Sequence, residues 1–230
     1  MHAHDRTLIA SMGFADPDKR NPLHDFACQY LALRENHERI AGMVAPLDAP
    51  GVRSGRCFPE KTEYSRGRQW EWTATESQWH DLDDPVLEFP VSKGSGQYKR
   101  SIGFIDVMLP CDIAVEWRGT SRLMEGGKVV SERPYKDYQL RIMGAFVEVK
   151  IGRASVGDVL RQIVLYREHL DIDNYWDDPA WLLATPYQLD RTDKASLELA
   201  GVRHILLGEK FHRWAEERMS APQLADSPEL

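Results

Sequence analysis

The sequence predicts an α/β fold in a single domain, a central mixed β-sheet flanked by helices. Three observations carry this expectation. Phe146–Ile151, FVEVKI, is an apolar and β-branched run of strand length. After a turn-like GRASVG, the residues Val159, Ile163, Tyr166 and Leu170 recur at helical spacing, which predicts a helix from about Asp158 to His169. Beyond that helix, Trp181–Thr185 (WLLAT) and His204–Leu207 (HILL) read as short buried strands, with a short helix over Lys194–Ala200 closed by Gly201.

The other elements follow in order. Residues 1–20 and 220–230 are polar and read as flexible ends. Asn21 and Pro22 form an N-cap and first turn, opening a helix over Leu23–Gly42 with Phe26, Ala27, Tyr30, Leu31 and Leu33 inward. Glu35 and Glu38 are its solvated face. Residues 44–60, with Pro46, Pro50, Gly51, Gly55 and Pro59, are a loop by composition. Glu63–Thr73 alternates as a strand or hairpin arm. Val86–Val91 is a short strand containing Glu88, and the turn SKGSGQYKR leads to the strand SIGFIDVML, which holds Asp106. Residues 112–118 alternate as a strand. The glycine- and charge-rich stretch 119–138 has Gly126-Gly127 as a hairpin signal and returns through Tyr138–Met143. Asp171–Pro179 is an acidic loop, and Phe211–Met219 an amphipathic last helix. The core is expected over about 84–208, and no internal repeat is visible.

Composition narrows the class. Among 230 residues, 42% are hydrophobic and 28% charged, with mean hydropathy −0.49, as in soluble globular domains. No apolar run is long enough to span a bilayer and no signal-peptide pattern opens the chain, so no membrane association and a cytoplasmic location are expected. Cys28, Cys57 and Cys111 are odd in number and form no CxxC, which fits reduced thiols and argues against a four-cysteine iron–sulfur cluster. The net charge of −7 argues against a non-specific nucleic-acid coat. It leaves room for basic residues gathered on one face. No GxGxxG follows a strand, and neither GxxxxGK[ST] nor HExxH occurs, so a nucleotide-cofactor or zincin reading lacks support.

Charges inside apolar strands are the chemical signal. Glu148 and Lys150 are two apart on one strand and share a face. Among apolar neighbours such charges pair with each other or line a pocket. Asp106 is the single acid in another apolar strand, and Gln162 and Tyr166 stack one helical turn apart. Two carboxylates and a lysine suit a Mg²⁺ or Mn²⁺ site. Such a site polarises a phosphodiester and activates water.

The ordered set Asp106, then Glu148-Val149-Lys150, then Gln162-xxx-Tyr166 resembles the PD-(D/E)xK nuclease superfamily, in its RecB-like and lambda-exonuclease-like branch with a QxxxY motif. The resemblance covers roughly Glu88–Leu207. It implies a restriction-endonuclease-like core, with a β-hairpin inserted between the two catalytic strands because the Asp106–Glu148 separation is long for the family. It also implies a divalent-metal-dependent deoxyribonuclease acting on DNA; the QxxxY element leans toward the exonuclease branches, and the choice between internal and end cutting stays open. Asp106, Glu148 and the Val149 carbonyl would be metal ligands, with Lys150, Gln162 and Tyr166 completing the catalytic set. Glu88 is either a further ligand or a rim glutamate. His24 either corresponds to a histidine that some RecB-like nucleases place near the metal or is a capping residue. Ser155, with the amides of Val156 and Gly157, is either a phosphate seat or a helix cap. Arg161 is a phosphate-binding candidate, although its one-residue offset from Gln162 points it to another face. Asp112 and Glu116 are reserve acids. Trp70, Trp72 and Trp79 beside Arg66 and Arg68 either stack on bases or pack in a core or partner interface. A homo-oligomer or a partner protein is compatible with the sequence. The rival reading is an inactive nuclease-fold module that binds DNA or protein.

Overall fold

The computed structural model describes residues 21–47, 63–65, 68–93, 100–170 and 179–220, with the side chains of 63–74 and of Gln139 outside the description. The expected flexible ends, most of the 44–60 loop, the turn at 94–99, Arg66 and the loop at 171–178 therefore lie outside it, as do the side chains of Trp70, Trp72 and Arg68. The fold is α/β, with one mixed and one antiparallel sheet flanked by helices. Among the described residues, no helix is long and apolar enough to cross a membrane.

The mixed sheet has five strands: β3 (Val86–Lys93), β4 (Arg100–Pro110), β7 (Gly144–Val149), β8 (Ala180–Thr185) and β9 (Val202–Leu206), in that spatial order. β3, β4 and β7 run antiparallel, whereas β7, β8 and β9 are parallel. Parallel neighbours need a crossover connection. Helix α3 (Val156–His169) supplies the one from β7 to β8, and α4 (Arg191–Leu199) the one from β8 to β9.

Period-two alternation assigns the two faces of the sheet. Ala145, Val147 and Val149 of β7, with Leu182 and Ala184 of β8, pack on one side against α1 (Pro22–Ala32), α2 (Arg34–Val44) and α5 (Gly208–Ser220). Phe146, Trp181 and Leu183 pack on the other side beneath α3 and α4, through Val156, Val159, Ile163, Tyr166 and Leu197. The core thus begins well before residue 84, because α1 and α2 cover a whole sheet face with Ala27, Leu31, Ile40 and Ala41.

The first helical stretch differs from expectation. It breaks at Leu33, whose ψ of 138° is extended, into α1 and α2. At the break the Tyr30 carbonyl accepts from the Leu33 N–H (3.2 Å) and from the Asn36 side chain (2.8 Å). Gly42 lies inside α2 rather than ending it. Asn21 caps α1 as expected, accepting from Leu23 N at 3.0 Å.

The insertion between β4 and β7 is also larger than a hairpin over 119–138. β5 (Asp112–Glu125) and β6 (Lys128–Arg141) form one long hairpin around Gly126 and Gly127, whose φ values of 58° and 77° are those of a tight primed turn. β2 (Arg68–Asp81) pairs along the full length of β5, and β1 (Glu63–Ser65) caps the edge, giving a second, four-stranded antiparallel sheet. The second half of β2, ATESQWHD, is polar and mostly exposed, so it carries little apolar signal of a strand. Ile113, Val115 and Trp117 anchor the root of the hairpin in the main core.

Candidate active site

β7 positions Glu148 on the same face as Phe146, toward α3. On α3, the buried Val156, Val159, Ile163 and Tyr166 hold the helix to the sheet, and Gln162 lies one turn before Tyr166. These two elements bring four of the expected residues together. Glu148 is only 3% exposed. Its Oε1 accepts from Lys150 Nζ and from Gln162 Nε2, each at 2.6 Å. Gln162 Nε2 also donates to the Tyr166 hydroxyl (3.0 Å), which donates in turn to the Phe104 carbonyl (3.0 Å). Glu148 Oε2 is buried and has no hydrogen-bond partner among the described residues.

Asp106 joins from β4. Its Oδ2 accepts from the Val149 backbone N–H at 2.7 Å, and its Oδ1 lies 3.3 Å from His24 Nε2 on α1. Val149 therefore contributes its amide to the arrangement while its side chain fills the core. His24 Nδ1 faces Cys28 Sγ at 3.8 Å and Asp25 Oδ1 at 3.6 Å.

The strand carrying Asp106 is irregular at that residue. Ile105 packs on the α3 side, and a Cβ added to Gly103 would meet Tyr166 there. Val107 and Leu109 pack on the opposite side. Simple alternation would put all four positions on one face. The faces therefore exchange at Asp106 without a change of register; the register shift of this strand pair lies between Val91 and Ser92. Glu88 stands opposite, between the pairs Leu87↔Val107 and Phe89↔Ile105, and has a left-handed φ of 53°, strained for a residue other than glycine. Its side chain is exposed.

The charges are mutually adjusted. Burial first, and then the Asp106 carboxylate, push Glu148 up to about 7 against the pull of Lys150 and Gln162. Burial pulls the Lys150 ammonium down, but Glu148 and Asp106 outweigh it and hold it above its ordinary range. The hydrogen bond to Asp106, aided by Cys28, raises His24 to about 11, so it is an imidazolium at neutral pH. Burial and Glu148 keep the Tyr166 phenol protonated.

The other candidates lie elsewhere or serve the fold. Ser155 is the N-cap residue of α3, exposed and without a side-chain cap bond. Arg161 pairs with Asp158 on the solvent side of α3. The reserve acids belong to the hairpin: Asp112 Oδ1 accepts from Met143 N (2.9 Å), and Glu116 is held by Arg118 and by Lys136 (2.8 Å). Trp79 contacts Tyr138 on the second sheet, with ring centres 6.1 Å apart. Gly103 and Cys28 are additional residues at the site. A lone glycine in an apolar strand signals a close approach, and a cysteine four residues after His24 shares its helical face.

No family model, curated protein or solved structure matches the chain.

Among the described residues, no three His, Cys, Asp or Glu side chains are gathered as a ready metal cage. Even so, the donor chemistry fits a hard cation. Asp106 and Glu148 offer carboxylate oxygens, and the buried, unpartnered Oε2 of Glu148 calls for a proton or a cation. His24 would first release its proton if it were to ligate.

Two predictions follow from this geometry. A Cβ at Gly103 would stand 2.7 Å from the Tyr166 hydroxyl. Gly103→Ala should therefore cost about 1–3 kcal/mol in chemical denaturation, and less in a Tyr166→Phe background. Strictly additive costs would contradict the contact. In metal-free protein, the His24 imidazole should stay protonated up to about pH 11 by NMR. Its folded value lies above its ordinary 6.5, so its stabilising contribution is full below about 6.5 and is lost as pH rises through about 11. Asp106→Asn should bring the titration back toward 6.5. Titration near 6.5 in the unmodified chain would mean that the pair does not form.

Proposed function

We propose that the chain is a divalent-metal-dependent deoxyribonuclease that hydrolyses DNA phosphodiester bonds. The observation that carries the reading is the wiring of Glu148. Lys150 and Gln162 both donate to Oε1, while Oε2 is buried and unpartnered among the described residues, and the Asp106 carboxylate is near enough to raise the Glu148 pKa. A buried carboxylate oxygen without a partner is costly, and a bound cation would relieve that cost. Further support comes from the mixed sheet with helices on both faces, as expected of a restriction-endonuclease-like core. The resemblance of the ordered motif set adds to this.

In this reading Asp106 and Glu148 would hold Mg²⁺ or Mn²⁺, with the Val149 carbonyl and His24 as further donors and Glu88 either a further ligand or a rim glutamate. The bound ion supplies Lewis-acid charge at the phosphodiester and lowers the pKa of its water. Gln162 fixes the Glu148 carboxylate, and Tyr166, anchored on the Phe104 carbonyl, fixes Gln162. Lys150, a cation 28% exposed at its side chain, orients the attacking water or meets the charge developing on the phosphate oxygens. Ser155 and the first amides of α3 offer a seat for a neighbouring phosphate.

A second reading has its own observation. His24 and Lys150 already neutralise Asp106 and Glu148, as they would in an inactive module that keeps the fold to bind DNA or protein. One experiment separates the two. End-labelled linear and closed-circular DNA, single- and double-stranded, are incubated with Mg²⁺, Mn²⁺ or EDTA. Metal-dependent cutting should fall about a hundredfold or more in Lys150→Ala and in Glu148→Ala. Loss of linear forms alone would make the activity exonucleolytic, and nicked circles would make it endonucleolytic. DNA binding without cutting under every condition would favour the module.

A further inference from the structure

A second cleft lies along the outer edge of the mixed sheet, on β9 and α4, and the nuclease reading leaves it unused. It is an open groove of about 470 Å³ lined by Lys194, Glu198, Arg203 and His204, with Met43 and Leu206 as apolar walls. Its size is that of a small-ligand site. Met43 and Leu206 are 40% and 43% exposed there, apolar surface that a flat ring would cover.

The polar groups are complementary to one kind of ligand. Lys194 is half-buried, and its ammonium makes no ion pair among the described residues. Arg203 spends one donor on the Met43 carbonyl (2.6 Å) and has others left. Thr185 Oγ1 gives its hydrogen to the Tyr187 carbonyl (2.6 Å), so at His204 Nε2 (2.8 Å) it must accept. His204 therefore carries its hydrogen on Nε2, and Nδ1 keeps a lone pair. Burial and then Lys194 hold the imidazole below its ordinary range, which keeps it neutral at pH 7. The Glu198 carboxylate is a second acceptor. The cleft thus offers two cations, two acceptors and apolar walls, with Lys194 near enough to His204 to act on its charge.

We propose that this cleft binds a nucleoside 5′-monophosphate unit, with the phosphate on Lys194 and Arg203, the base against Met43 and Leu206, and the hydrogen-bond donors of the base or sugar on His204 Nδ1 and Glu198. The choice of a nucleotide among small anions rests on the nuclease reading, whose hydrolysis yields that unit. The cleft lies two strands from the candidate site and is connected to it through the sheet. Lys150 N donates to the Ala184 carbonyl (3.0 Å), and the next residue, Thr185, holds His204.

The test is calorimetric titration of the full chain, without divalent metal, with 2′-deoxyadenosine 5′-monophosphate, deoxyadenosine and inorganic phosphate. The monophosphate should bind, and both Lys194→Ala and removal of the phosphate should weaken binding roughly tenfold or more. The His204 Nδ1 resonance should shift on binding. No binding at millimolar monophosphate, equal affinity for inorganic phosphate, or affinity unchanged in Lys194→Ala would overturn the proposal. A short oligodeoxynucleotide, titrated into the Lys150→Ala chain, separates the two sources. Tighter binding than the monophosphate, again dependent on Lys194, assigns the cleft to a strand, and weaker binding assigns it to free nucleotide. Nucleotide binding without DNA cleavage would leave the cleft standing and the nuclease reading fallen, and cleavage without nucleotide binding would do the reverse.

Discussion

The burial of the Glu148 carboxylate is the constraint on which the site depends. A charge this far from water is costly unless it is paired and hydrogen-bonded. Lys150 arrives from the same strand two residues on, and Gln162 from the helix that crosses over to β8. Tyr166 then ties Gln162 to the backbone of β4 through Phe104, so three elements of the mixed sheet layer converge on one oxygen. The other oxygen is left unsatisfied. A carboxylate held on one oxygen and left open on the other would be stabilised by positive charge placed there.

Asp106 brings a second carboxylate to the same place, from an irregular point of β4. The exchange of faces between Ile105 and Val107 turns the strand at Asp106, so that its carboxylate meets the Val149 amide and the His24 ring. The left-handed Glu88 across the strand pair belongs to the same irregularity. In the absence of another cation, His24 and Lys150 supply the positive charge. Metal binding would then be a competition with protons as well as with water, which links affinity to pH.

Much of this was legible in the sequence. Apolar strands interrupted by single charges, FIDV and FVEVK, marked where the sheet gathers its buried charges, and the Gln162–Tyr166 spacing placed two partners on one helical face. The strands after α3 and the capped start of α1 were legible for the same reason: short-range patterns of period two, period 3.6 and cap chemistry. What escaped depends on long-range pairing. β2 is polar over its second half and becomes a strand through its pairing with β5. The break at Leu33 contains neither proline nor glycine and is closed by Asn36. The face exchange at Asp106 and the contact between Gly103 and Tyr166 arise from packing between elements, which no local pattern encodes. Arg161 shows the opposite case. Its offset from Gln162 already pointed it away, and it pairs with Asp158 in solvent.

The central claim is that Asp106 and Glu148 form one site for a divalent cation. Titrating Mn²⁺ into metal-free protein, with free Mn²⁺ read by electron paramagnetic resonance, tests it most directly. The account predicts a single ion bound per chain, with binding lost in Glu148→Gln and in Asp106→Asn and weakened as pH falls. Binding that survives both substitutions, or no binding to the unmodified chain, would contradict it.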